Sequence, residues 1–254
     1  MINGNIKFFD KNKITQNAAI SLPANTVGDS TILWDRDFKK TIKSVGYNSD
    51  ASNFDIVVDF GIATTFNRIY LAGTNAISGS VAYWDGTQYL SLATITTNTG
   101  VLYFEINATT TTKIRVRLTA TLVANSEKTI SELIITTELG MLEKNPSANE
   151  LTYVAEDKIL RLSNGKQSVV RFGISFKGKL ELKNATQNDM NLIFSLYNRV
   201  DPFYIWLCGG IDRQNTFYKL SDLYFVNIIG ELVPKLKGNL FEIGEEIKLE
   251  IAEA

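Results

Sequence analysis

The feature that most constrains this chain is a succession of short β-branched and aromatic runs, each closed by Gly, Asn or Asp. Over the first 141 residues they occupy positions 55–61, 68–73, 80–84, 90–95, 101–106, 113–118 and 130–135. A helix needs apolar residues three or four apart, whereas a half-buried strand needs them two apart. Residues 113–118 alternate strictly, with Ile114, Val116 and Leu118 apolar and Lys113, Arg115 and Arg117 basic. Strands of this length, about a dozen residues apart with turn formers between them, fold as a sandwich or barrel. The run Thr109–Thr112, after Asn107-Ala108, is expected as a solvated hairpin loop between two of them.

A polar stretch with Pro146, at 143–149, marks a domain boundary and divides the chain into 1–141 and 142–254. Beyond it, residues 158–162, a turn at Asn164-Gly165 and residues 169–176 predict a hairpin, which 179–182 extend. One helix follows. Thr186 caps it and Asp189 places a negative charge in its first turn. Met190, Ile193, Phe194 and Tyr197 form its expected apolar face, and Asp201-Pro202 stops it. Residues 203–208 are apolar enough for burial on both faces. The last strands are expected at 217–229 and 240–251, with Glu245-Glu246 as turn and surface charges. The fold class is therefore mainly β: an N-terminal β-sandwich plus a second β-rich domain with one main α-helix.

Composition removes several function classes. The chain has no histidine, which excludes Ser-His-Asp and Cys-His nucleophiles and zinc sites with His ligands. Cys208 is the one cysteine, so no intrachain disulfide or thiolate cluster forms. Buried, it is expected to act as a small hydrophobe. Net charge is −1, with 12 basic and 12 acidic residues in 1–141, and no basic stripe invites nucleic acid. No Lys/Arg cluster suits anionic lipid, and no apolar stretch approaches the roughly 18 residues of a spanning helix. Met1-Ile2-Asn3-Gly4-Asn5 lacks the charged start and apolar run of a signal peptide, so synthesis in the cytoplasm is expected. A glycosidase would set two carboxylates across a cleft, which no segment does convincingly. The expectation is a protein that binds or assembles, not an enzyme, with no cofactor beyond a structural calcium.

In the first domain the segment order resembles the discoidin, or coagulation-factor C-type, galactose-binding-like jelly roll. Leu33-Trp34-Asp35-Arg36-Asp37 sits where that family has its early acidic loop. Residues 55–61 are similar to its Ile-x-Ile-Asp-Leu-Gly strand, Phe66-Asn67-Arg68-Ile69 to the strand after it, and 81–86 to its v-y-S-x-D-G segment. Lys113-Ile114-Arg115-Val116 is similar to a-R-Y-I-R-i, and Ile130-Ser131-Glu132-Leu133 to the closing i-s-E-l. The resemblance covers roughly 25–137. It implies sugar or lipid-headgroup binding through loops at one end, and in many relatives a structural calcium. Here Trp34 precedes the acidic pair, and Arg36 stands where the family has Gly. Asp35 and Asp37 are the candidate calcium ligands, a solvated turn being the alternative. Trp84 is either a sugar-stacking platform or a rim or core side chain. Tyr47, Asn48 and Asp50 occupy a polar loop whose chemistry suits a glycan.

The second domain resembles the β-rich module of phage distal-tail or tail-tip proteins. The matching pieces are the strand 171–176, the helix 189–196, Asp201-Pro202-Phe203-Tyr204-Ile205, and the Glu- and Leu-rich ending at 244–253. That resemblance implies a virion tail component. Its second domain would join a homo-oligomeric ring, typically a hexamer, beside neighbouring tail proteins, while the sandwich projects towards cell-surface glycans. The competing expectation is a carbohydrate-binding module of an adhesin or secreted system.

Overall fold

The structure is a computed structural model that describes residues 5–37, 39–96, 101–144, 148–161, 167–183, 185–206, 223–229 and 246–253. It is mainly β, as expected, with antiparallel sheets and, among the described residues, one α-helix. The chain divides into two compact units. Phe9–Leu139 form the first; Ile2–Phe8, Gly140–Leu207 and Leu223–Ala254 form the second. The expected boundary is 141/142; the units divide at 139/140, and Lys7 and Phe8 of the opening strand belong with the later unit.

In chain order the first strands are β1 (Lys7–Phe9), β2 (Ala19–Ser21), β3 (Thr26–Val27), β4 (Ile42–Ser44), β5 (Phe54–Ala72) and β6 (Gly79–Trp84). They continue with β7 (Tyr89–Ile95), β8 (Val101–Leu118), β9 (Thr129–Ile130), β10 (Glu132–Thr136) and β11 (Glu138–Met141). A single turn of 3₁₀ helix, Ser30–Leu33, precedes the acidic loop. In the first unit, one sheet runs β10-β5-β8-β6-β7 with β2 also on β5, and the other runs β3-β4-β9. Ile42 and Ile130 of the small sheet share one core with Ile56, Val58, Val81, Ile114 and Val116 of the large one, which makes the sandwich.

Two strands are much longer than the sequence suggests. Runs 55–61 and 68–73 both belong to β5, and 101–106 and 113–118 both belong to β8. The Thr109–Thr112 run is therefore not a loop but the middle of β8. β-Branched Thr suits a pleated strand, and it meets Thr here: Thr64 pairs with Thr111, and Thr65 with Thr110, whose hydroxyls lie 2.7 Å apart. The ladder breaks between Asp59 and Thr64 and again between Phe66 and Arg68. Gly61, at φ +72°, supplies the turn of backbone that a side chain would resist. Phe54, Ile56, Val58 and Phe60 alternate inward before the break, and Phe66, Ile69 and Leu71 resume after it. Both halves of β5 thereby face one core, with the Phe60 and Phe66 rings 6.3 Å apart.

In the second unit follow β12 (Ala148–Arg161), β13 (Gln167–Lys183), α1 (Gln187–Tyr197), β14 (Phe203–Trp206), β15 (Leu223–Ile229) and β16 (Glu246–Glu253). The sheet order is β11-β1-β14-β15-β16-β13-β12. The expected hairpin is β12 and β13, with arms longer than the sequence indicates. Its Asn164-Gly165 turn, residues 145–147, Cys208, residues 217–222 and residues 240–245 lie outside the described residues. Glu246 opens β16 and is not a turn residue. All four residues of β14 are buried. Among the described residues, no helix is long and apolar enough to cross a membrane.

Helix α1 starts as expected. The Thr186 hydroxyl accepts the Asp189 N–H, and the Asp189 carboxylate accepts the Thr186 N–H at 3.0 Å and the Glu143 N–H at 2.6 Å. The buried face, however, is Met190, Ile193 and Leu196, while Phe194 and Tyr197 are exposed. The cause is Asp189 itself. Its bond to Glu143 turns position 189 inward, and 193 and 196 lie on that same side. Asp189→Ala is expected to destabilise the protein by about 2 kcal/mol, since a cap and a buried acceptor go together. Urea unfolding of the full chain measures it.

Candidate functional site

The alternation that buries Ile114, Val116 and Leu118 puts Lys113, Arg115 and Arg117 on the opposite face of β8. Across the ladder on β5 they meet Asp59, Val57 and Asp55 respectively. Arg117 donates to both Asp55 oxygens at 2.7 and 2.6 Å, and Lys113 bonds Asp59 at 2.9 Å. The Lys113 ammonium, with the Gly61 N–H, holds the Asp59 carboxyl below the usual carboxylate range. Arg115 faces a valine and, among the described residues, has no carboxylate partner. Its guanidinium lies instead over the Tyr89 ring at 4.4 Å. Tyr89 in turn meets Trp84 edge to face at 5.1 Å. The Thr111 hydroxyl donates to the Trp84 carbonyl at 2.7 Å and fixes the end of β6. Trp84, Tyr89 and Arg115 are all half-buried.

An open groove of about 660 Å³ adjoins this face, lined by Arg68, Ser91, Glu105, Asn107 and Thr109 among others. Ser91 joins the two features. It lines the groove and also pairs with Ala82, the residue that pairs with Arg115 on the other side. The groove's charged groups are held in place. Arg68 donates to Glu138 through Nε at 2.9 Å and Nη2 at 2.6 Å, and Glu105 accepts from the Tyr103 hydroxyl at 2.8 Å.

Of the four residues expected to contact a glycan, only Trp84 lies here. Tyr47, Asn48 and Asp50 belong to the opposite end of the ladder, where Phe54, Leu118 and Gly79 pair in one row. Gly79 and Trp84 lie five residue steps apart along β6, about 17 Å of strand. Tyr47 packs on Phe54 at 6.4 Å. Asp50 is occupied: its carboxylate accepts from the Thr121 N–H, the Thr121 hydroxyl and the Asn125 N–H at 3.2–3.3 Å. Asn48 is exposed. Buried Lys128 anchors the loop, donating to the carbonyls of Tyr47 and Ser49 and to the Ser52 hydroxyl. Burial lowers the Lys128 ammonium below its ordinary pKa. Lys128→Met, which keeps the bulk and removes the donors, is expected to cost about 2 kcal/mol. Hydrogen exchange should quicken first at residues 47–52.

The acidic loop makes a second candidate centre. Asp35 accepts the Asp37 N–H at 2.9 Å and the Lys40 ammonium at 2.8 Å, and Lys40 also reaches Asp37 at 3.5 Å. Glu132, at the start of β10, is fully buried; among the described residues neither carboxylate oxygen has a partner in good hydrogen-bond geometry, and the nearby Arg36 backbone and charge offset its burial only in part. Burial, reinforced by the negative charge of Asp35, pushes its pKa up to about 9. Carboxylate oxygens are the ligands that a hard cation such as calcium takes. Among the described residues, however, no three such side chains converge on one point, so the expected ligands Asp35 and Asp37 form no three-carboxylate site with Glu132, and Lys40 already holds Asp35. Nothing in the sequence marked Glu132 as a ligand, although it stands in the closing i-s-E-l segment.

No family model matches the chain, and no curated protein matches its sequence. Among solved structures it is similar to chitosan-binding module 1 of a chitosanase/glucanase from Paenibacillus sp. IK-5. Identity there is 19%, over 49% of this chain and 97% of that one, with a TM-score of 0.40. It is also similar to the family 32 carbohydrate-binding module of NanJ from C. perfringens, solved with galactose. That match is 14% identical over 50% of this chain and 98% of that one, with a TM-score of 0.42. A Ruminococcus gnavus GH29 fucosidase solved with fucose matches at 15% identity and a TM-score of 0.43; the chain spans only 26% of its length. At these identities and scores the likenesses carry no functional argument for this chain.

Proposed function

We propose that the first unit is a glycan-binding module, and that the ligand lies on the face of Trp84, Tyr89 and Arg115 and in the adjoining groove. The observation that carries this reading is the continuity of the two through Ser91. A pyranose ring has an apolar C–H face and a rim of hydroxyls. It is matched by an aromatic ring beside a few fixed polar side chains. Arg68 and Glu105 are fixed in that sense, since each is already bonded to a protein partner. The test is a glycan array probed with the full chain, followed by titration of any hit against Trp84→Ala. The variant is expected to bind at least about tenfold more weakly, a difference of about 1.4 kcal/mol. An array with no binder, or a hit indifferent to Trp84→Ala, would sink this reading.

For the second unit we propose assembly: a ring of copies, on the pattern of a phage-like tail on the virion. The observation behind it is β12, a strand of 14 residues with only β13 beside it among the described residues. A long edge of unpaired N–H and C=O groups is a template for another chain. Light scattering behind size exclusion on the full chain tests this. A closed oligomer is the expected species, and a monomer at every concentration and with added neighbouring proteins contradicts it.

A further inference from the structure

We propose that the ligand of the Trp84 face is an anionic saccharide, and that Arg115 determines this specificity by bonding its uronate carboxylate or sulfate ester. The inference rests on the glycan-binding reading and adds to it a chemical class and a residue.

Its basis is an imbalance of charge along one row of the sheet. Three cations, Lys113, Arg115 and Arg117, face β5, which offers two carboxylates and a valine. Asp55 and Asp59 are consumed by Arg117 and Lys113, both within hydrogen-bond distance. Among the described residues Arg115 is left with the Tyr89 ring, and its Nε is buried without an acceptor. A guanidinium stacked on an aromatic ring keeps its N–H edge free in the plane of the group. That planar fork matches a carboxylate through two parallel bonds and also takes oxyanions of sulfur or phosphorus. Stacking also holds the side chain in one place, so less freedom is lost when the anion arrives. The ring of Trp84 meets the same Tyr89 ring that Arg115 covers, and Ser91 stands across Ala82 from Arg115. A sugar ring against Trp84 therefore presents a substituent to Arg115, and the uncompensated positive charge selects an acidic one.

Calorimetric titration of the full chain decides the matter, with trigalacturonic acid, a sulfated galacto-oligosaccharide and neutral galactotriose as probes. Arg115→Gln and Arg115→Lys are compared with the wild type, each first shown to melt cooperatively. At least one anionic probe is expected to bind at least tenfold more tightly than the neutral one. Arg115→Gln should erase that advantage, so that the anionic probe binds no more tightly than the neutral one. Arg115→Lys, which keeps the charge and loses the fork, should retain part of the advantage, and it carries the comparison if the Gln variant does not fold. A carboxylate preference that Lys fails to restore, beside a sulfate preference that it does restore, tells the two anions apart. Equal binding of all three probes, or an advantage that survives in both variants, overturns this inference and leaves glycan binding standing. Binding of none of the probes, with the array also empty, overturns both.

Discussion

Glu132→Gln is expected to raise the melting temperature at neutral and alkaline pH, and to flatten a decline in stability that the wild type shows between about pH 5 and pH 9. The folded carboxyl has its pKa raised from 4.5 to about 9 by burial and then by the charge of Asp35, against which Arg36 acts only in part. Below pH 4.5 it is neutral folded or unfolded, and its contribution is fully present. As pH rises the unfolded chain releases the proton while the folded one keeps it, so stability falls until the folded group also ionises near pH 9. At pH 7 the penalty is about 3 kcal/mol, from 1.36 kcal/mol for each unit between 4.5 and 7. Glutamine has nearly the same shape and no proton to lose. Melting curves from pH 5 to 9 check this, and parallel slopes for the two proteins would mean that Glu132 is ionised and paired. Calcium added at pH 8 separates the proton from a metal. Stabilisation of the wild type alone assigns Glu132 to a cation, and no response in either protein leaves the proton as its counterpart.

Phe66→Ala is expected to cost about 3–5 kcal/mol, the range for removing a buried aromatic ring from a core that cannot close over the gap. Phe66 is fully buried where β5 re-enters the core, and its ring meets Phe60 from the other arm of the same strand. Its loss should loosen the fold-back as well as empty a cavity. Ile62, at the outside of the same bend, is 71% exposed. Ile62→Ser should therefore change stability by only a few tenths of a kcal/mol. Urea midpoints of the two variants make the comparison. A similar cost for both would mean that the bend is held by the exposed turn and not by the rings beneath it.

The strands were legible wherever a single strand carries its own alternation, as in Lys113–Leu118. The connections were less so. A glycine with positive φ inside a strand reads like a strand end, which is why Gly61 seemed to close a run that in fact bends and continues. The Thr run misleads for a related reason: its polarity suggests a loop, whereas its β-branched side chains and Thr partners on β5 favour a ladder. Trp84 was visible from its place before Asp85-Gly86. Arg115 was not, because an unpaired cation exists only by comparison with the opposite strand, and register is not written in either strand alone. The same holds for the Tyr47 loop. Lys128 lies 81 residues from Tyr47, and Thr121 lies 71 from Asp50, and both bonds turn apparent ligand groups into scaffolding. Helix α1 was found with its cap, yet its rotation depended on Glu143, 46 residues away from Asp189.

One more consequence comes from β1, the strand that lies between β11 and β14 in the second unit's sheet. On the ribosome it is made before the sandwich, whereas its neighbour β14, Phe203–Trp206, is made after it. At 5–20 residues per second, β1 waits about 10–40 s for that neighbour. The sandwich can close as soon as residue 139 emerges, so the nascent chain carries a finished module with a loose apolar strand ahead of it. Ile6 and Phe8, both buried in the end, are the side chains exposed during that interval. The second unit is begun first and completed last. A fragment cut at residue 142 would lack an interior strand of its own sheet, so the two units are products of one translation event and not of two interchangeable pieces.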